Sequence, residues 1–102
     1  MKKIFALCLV FVFSSAPAFA HTALMSCFDE GDGTITCEGG FSDGSSASGV
    51  DVRVEQNGKA IHSAKFSETG DINFTKPSGD YVVIFDAGKG HGVVVDGKDI
   101  TE

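Results

Sequence analysis

Three histidines and three cysteines are the side chains of this sequence best suited to holding a metal ion or forming a covalent link. Their settings differ. His21 directly follows Ala18-Phe19-Ala20, a small-x-small tripeptide of the kind a signal peptidase cleaves, so processing there makes His21 the first residue of the working chain. A histidine in that position offers its α-amine and its ring Nδ1 to one ion as a six-membered chelate. An α-amine titrates near about 7.7–8.0, so it yields its proton to a competing metal far more readily than a lysine does. One further imidazole completes a roughly T-shaped set of three nitrogens, suited to Cu(II) or square-planar Ni(II).

His91 is the candidate for that second imidazole. It lies in Asp86-Ala87-Gly88-Lys89-Gly90-His91-Gly92, where glycines on both sides free the backbone and put the ring at a loop or sheet end. The bland alternative is an incidental histidine in a hairpin loop. Asp86 is the candidate carboxylate, as a third ligand or as a group that orients one. Met25 has a soft thioether, but it alternates with core-facing positions and is expected to pack. His62 is expected on a solvated strand face beside Arg53, whose charge opposes cation binding.

The elements that would position these residues begin with an export signal. Met1-Lys2-Lys3 is a short basic start, Ile4 to Phe13 is apolar, and Ser14-Ser15-Ala16-Pro17 leads to the cleavage tripeptide. The apolar run is shorter than the roughly 20 residues a bilayer span needs. Cys8 lies inside that run without the small residue before it that a lipoprotein signal has. The expected organisation is a signal peptide over residues 1–20, a domain over 21–96, and a polar tail over 97–102 that frays. The expected compartment is a bacterial periplasm, with no direct membrane insertion after cleavage.

Cleavage leaves 82 residues, one small domain of the size that often needs a staple. Once Lys2 and Lys3 are gone, six basic residues face fourteen acidic ones, a formal charge of −8. Such a surface argues against nucleic acid and anionic membranes as partners.

Cys27 and Cys37 flank a turn signal, Gly31-Asp32-Gly33. A hairpin with a three-residue loop at that point sets the two cysteines opposite one another, within disulfide reach, in a compartment that oxidises thiols. The competing reading is a reduced pair of thiolate metal ligands, for which the spacing is wider than the usual Cys-x2-4-Cys.

No long helical period occurs. Short runs rich in β-formers alternate with Gly, Asn, Asp and Ser clusters. Strands are predicted over Thr22–Asp29, Thr34–Phe41, Val50–Glu55, Asp71–Phe74, Asp80–Asp86 and His91–Val95. Another follows Asn57-Gly58, a dipeptide that asks for a two-residue type I′ turn. That turn pairs Gln56 with Lys59 and, in an unbroken ladder, Val54 with Ile61 and Arg53 with His62. Seven strands without a helix predict an all-β fold, a seven-strand Ig-like or transthyretin-like β-sandwich.

Catalytic signatures are missing. There is no Gly-x-Ser-x-Gly, Walker A or His-Glu-x-x-His motif. Asp29-Glu30-Gly31-Asp32-Gly33 lacks the residue order and final glutamate of a calcium loop. The protein is expected not to be an enzyme.

Several segments carry a family likeness: Gly40-Phe41-Ser42-Asp43-Gly44, Val50-Asp51-Val52-Arg53-Val54, Glu68-Thr69-Gly70-Asp71-Ile72-Asn73-Phe74 and Gly79-Asp80-Tyr81-Val82-Val83. Together they resemble a carboxypeptidase-regulatory-like (transthyretin-like) sandwich. With His21 just after the signal and the segment Asp86-Ala87-Gly88-Lys89-Gly90-His91, the chain resembles more narrowly the small periplasmic accessory proteins of bacterial nickel/cobalt uptake systems. It departs from them in carrying Cys27 and Cys37. The resemblance implies a protein that binds or delivers a divalent transition metal, nickel or cobalt with copper as rival. It also implies a membrane metal-uptake transporter as partner. The alternative expectation is a non-catalytic sandwich module that binds a protein or glycan through its loops or an open sheet edge.

Overall fold

A computed structural model describes residues 22–88 and 92–102. The predicted signal peptide, His21 and His91 lie outside the described residues.

The chain opens with a hairpin. β1 (Ala23–Asp29) pairs antiparallel with β2 (Thr34–Phe41), and Cys27 stands directly opposite Cys37. The loop is the predicted Gly31-Asp32-Gly33, with both glycines at positive φ, closed by the Glu30 amide donating to the Thr34 carbonyl over 3.0 Å. The two cysteines form a disulfide with a Cα–Cα separation of 4.0 Å. The thiolate-ligand reading of this pair is thereby set aside.

β3 (Asp51–Gln56) and β4 (Lys59–Lys65) form the second hairpin, and β5 (Asp71–Thr75), β6 (Val82–Asp86) and β7 (Gly92–Asp96) follow. The strands assemble into two antiparallel sheets, β1-β2-β5 and β4-β3-β6-β7. This is the predicted seven-strand sandwich. The alternation in β2, β3, β5 and β6 sends Ile35, Cys37, Val52, Val54, Ile72, Phe74, Val83 and Phe85 into the space between the sheets, all buried. Burying one such side chain stabilises the fold by about 1.5–3 kcal/mol. Phe85 lies at the centre, with edge-to-face contacts to Phe66 at 5.0 Å and Phe41 at 5.6 Å between ring centroids. Met25 packs against this core, as its alternation predicts.

The Asn57-Gly58 turn forms with φ of 55° and 77°, and Gln56 pairs with Lys59. The expected register holds through the Glu55–Ala60 pair and then breaks. A β-bulge between Val54 and Glu55 shifts the ladder by one residue, so Val54 faces His62 and Arg53 faces Ser63. One extra residue on one strand of a pair moves every later side chain to a new partner. His62 therefore stands opposite buried Val54 rather than beside Arg53, with its ring 6.1 Å from that of Phe74.

The C-terminal segment also departs from expectation. Residues 97–102 are docked. Gly97–Asp99 forms a short 3-10 turn capped by Asp96, whose carboxylate accepts from the Lys98 amide. Ile100 is buried in the core, and the Thr101 carbonyl accepts from the Asp29 amide. Gly97 lies flat against the ring of buried Tyr81; a Cβ at this position would sit 2.5 Å from a ring carbon. One apolar residue in an otherwise polar hexapeptide is enough to dock it.

Candidate functional site

The residues next to His21 and His91 in sequence are Thr22 and Gly92, and both are described. β1 and β7 belong to different sheets but lie side by side at one edge of the sandwich. Their relative direction follows from two contacts. At the far end, Asp29 at the close of β1 meets Thr101 beyond the close of β7. At the near end, Ala23 pairs with Phe41, Val93 pairs with Phe85, and the Phe41 and Phe85 rings touch across the core. The two strands thus run the same way, and both begin at the same end of the domain.

Local hydrogen bonds pin this end. The Thr22 amide donates to Ser42 Oγ over 3.1 Å, and the Ser42 amide returns a bond to the Thr22 carbonyl at 2.8 Å. Ser42 belongs to the Phe41-Ser42-Asp43-Gly44 turn, closed by the Gly44 amide on the Phe41 carbonyl and braced by the Asp43 carboxylate on the Ser45 amide and hydroxyl. That turn holds the first described residue of the chain in place.

Asp86 closes β6 at the same end, paired across the ladder with Gly92 on one side and Asp51 on the other. Its Oδ2 accepts from Arg53 Nη1 over 3.1 Å, and its Oδ1 accepts from the Gly88 amide at 3.2 Å. These two bonds, the Gly88 amide first, hold its carboxyl below the usual aspartate range. Arg53 is shared, since its Nε also donates to Glu55 at 2.7 Å. Asp86 is therefore ionised and anchored, and its bond to Gly88 turns the chain as it leaves β6. Arg53 adds a positive charge that partly offsets the carboxylates of this end.

The other side chains with possible chemistry are engaged or distant. Asp29 accepts from Lys76 Nζ and from the Gly31 amide, and Asp32 accepts from the amide and hydroxyl of Thr34. The carboxylates of the glycine-rich loop thus serve the loop itself. No group of three or more His, Cys, Asp or Glu positioned to hold a metal ion occurs among the described residues.

On the opposite edge, the strand shift in β4 turns Ile61 and His62 toward a groove of about 380 Å³. Val54 and Phe74 form its floor, and Asn73, Thr75, Lys76 and Pro77 its far wall. This groove is not legible from residue types, because an intact ladder puts His62 on the other face.

Comparison with known protein families, curated proteins and solved structures finds no match to the chain.

Proposed function

We propose that the processed protein is a periplasmic metal-binding protein. It holds one divalent transition metal ion, Ni(II) or Co(II) with Cu(II) as the rival, through the α-amine and imidazole of His21 and the imidazole of His91. Nitrogen ligands of this kind favour late first-row metals. The observation that carries the reading is the parallel course of β1 and β7, which starts Thr22 and Gly92 from the same end of the sandwich. Histidines preceding two strands that start at opposite ends could not share an ion.

Asp86 fits as an orienting group better than as a direct ligand, because both of its oxygens already accept hydrogen bonds. The net acidity of the processed chain favours the approach of cations. A metal-uptake transporter in the membrane remains the partner implied by the family likeness.

The deciding experiment is calorimetric titration of Ni(II), Co(II) and Cu(II) into protein that begins at His21 and into protein carrying one extra glycine before it. The extension leaves both imidazoles in place but converts the α-amine into a peptide nitrogen. A loss of at least tenfold in affinity, with unchanged thermal stability of the metal-free protein, is the expected result. Equal affinity in the two forms overturns the proposal.

A further inference from the structure

The groove between β4 and β5 has features that metal binding at the other edge does not use. β4 is the last strand of the four-stranded sheet and β5 the last of the three-stranded sheet, so two unpaired sheet edges flank one groove. A sheet edge presents backbone donors and acceptors that another extended segment can satisfy. Between these edges Ile61, 49% exposed, stands on the lip above buried Val54 and Phe74. A large aliphatic side chain left half in water beside an apolar floor is a candidate anchor point for a partner's side chain.

Charge selects among partners. β4 carries Lys59, His62 and Lys65 and no carboxylate, and Lys76 stands on the opposite wall. Lys59 and Lys65 stand at the two ends of the β4 edge and Lys76 lines the groove, so three of the six lysines and arginines left after signal cleavage belong to this side of a domain with fourteen acidic residues. Lys65 and Lys76 already have partners, Asp51 at 2.6 Å and Asp29 at 2.8 Å. They can share a further carboxylate, whereas Lys59 has no carboxylate partner among the described residues. A second copy docking β4 against β4 in antiparallel fashion would set Lys59 against Lys65, and like charges directly opposed destabilise a strand pair. An acidic strand meets the reverse situation.

We infer that the β4 edge is a docking site for an extended acidic peptide segment, which adds as a further strand beside Lys59–Lys65 and places an apolar side chain against Ile61. Lysines and a bulge on an edge discourage indiscriminate strand addition. Here they would serve as the filter that admits a carboxylate-bearing strand and refuses others.

The test uses isotope-labelled processed protein and two nine-residue peptides with blocked ends, one alternating Glu with Val and Thr, the other with Lys in place of each Glu. The acidic peptide is expected to shift the backbone amides of residues 59–65 and 72–76, with affinity falling several-fold between low and high salt. The Lys59→Glu, Lys65→Glu double variant is expected to lose at least tenfold in affinity. Ile61→Ser, a change at an exposed position, should lose affinity while keeping the thermal midpoint. Absence of shifts along β4 overturns the inference, as does equal binding of the lysine peptide. Concentration-dependent shifts of the same amides without peptide would assign the edge to a second copy and also overturn it.

Discussion

The backbone amide of Asp29 donates to the carbonyl of Thr101 over 2.9 Å, joining the end of β1 to the segment that follows β7. This bond crosses between the two sheets at their shared edge. Together with buried Ile100 next to it, it keeps β1 and β7 side by side in the same direction. The common origin of Thr22 and Gly92, on which the proposed metal site rests, depends on that alignment.

Deletion of Ile100–Glu102 is therefore expected to destabilise the whole domain rather than trim a loose end. The buried isoleucine contributes about 1.5–3 kcal/mol and the bond to Asp29 roughly 1 kcal/mol more. In a domain of this size each kcal/mol moves the thermal midpoint by roughly 4–8 °C. A melting curve of the truncated protein within about 2 °C of the intact one would show that the segment does not stabilise the fold.

The disulfide gives a second expectation. Cys27 and Cys37 close a short loop around the β1–β2 turn, and loop-closure entropy assigns such a bridge about 3 kcal/mol. Urea unfolding of oxidised and reduced protein should show that difference as a lower midpoint after reduction. Titration of thiols on the denatured, non-reduced processed protein should find none. Two free thiols would contradict the bridge.

How far residues alone could lead is clear from these same places. The hairpin register of Cys27 and Cys37 was legible because glycines at both loop flanks leave one way to turn, and every later pair follows from it. The Asn57-Gly58 turn was equally legible, down to its Gln56–Lys59 pair. The bulge two residues further on was not. Ile61 and His62 are both tolerated at an exposed edge, so nothing in their types marks which of them faces Val54. The docking of Ile100 is not legible because a single apolar residue has no periodicity. Of the proposed site, Asp86 could be placed from its strand and its loop, but its bond to Arg53 joins residues 33 positions apart, on neighbouring strands whose pairing no local signal sets. His21 and His91 lie outside the described residues, so their selection still rests on ligand chemistry and family likeness.

The last expectation concerns pH. Lys76 Nζ donates to Asp29 Oδ2 over 2.8 Å, and the Gly31 amide donates to Oδ1 of the same carboxylate. The bond from Lys76, then that from Gly31, pulls the Asp29 carboxyl below its ordinary value of 3.8, and Asp29 in turn raises the Lys76 ammonium above its ordinary 10.5. A carboxyl whose pKa is lower in the folded state stabilises the fold above its unfolded value, and that contribution is lost as pH falls through the folded value. An ammonium whose pKa is raised by folding stabilises below its unfolded value and loses that contribution as pH climbs through the folded one. The pair thus contributes over a window from about pH 4 to about pH 10, with no slope of its own between. Asp32 and Asp86, also held below the aspartate range by hydrogen bonds, steepen the acid limb. Urea midpoints of the intact protein should be nearly level from pH 5 to pH 8 as far as this pair is concerned, and should fall between pH 4 and pH 2. Asp29→Asn keeps an acceptor for Lys76 but cannot ionise, so its midpoint should start lower at pH 7 and decline less in acid. If the variant and the intact protein fall in parallel between pH 4 and pH 2, the Asp29–Lys76 bond is not what ties the β1–β2 loop to the end of β5.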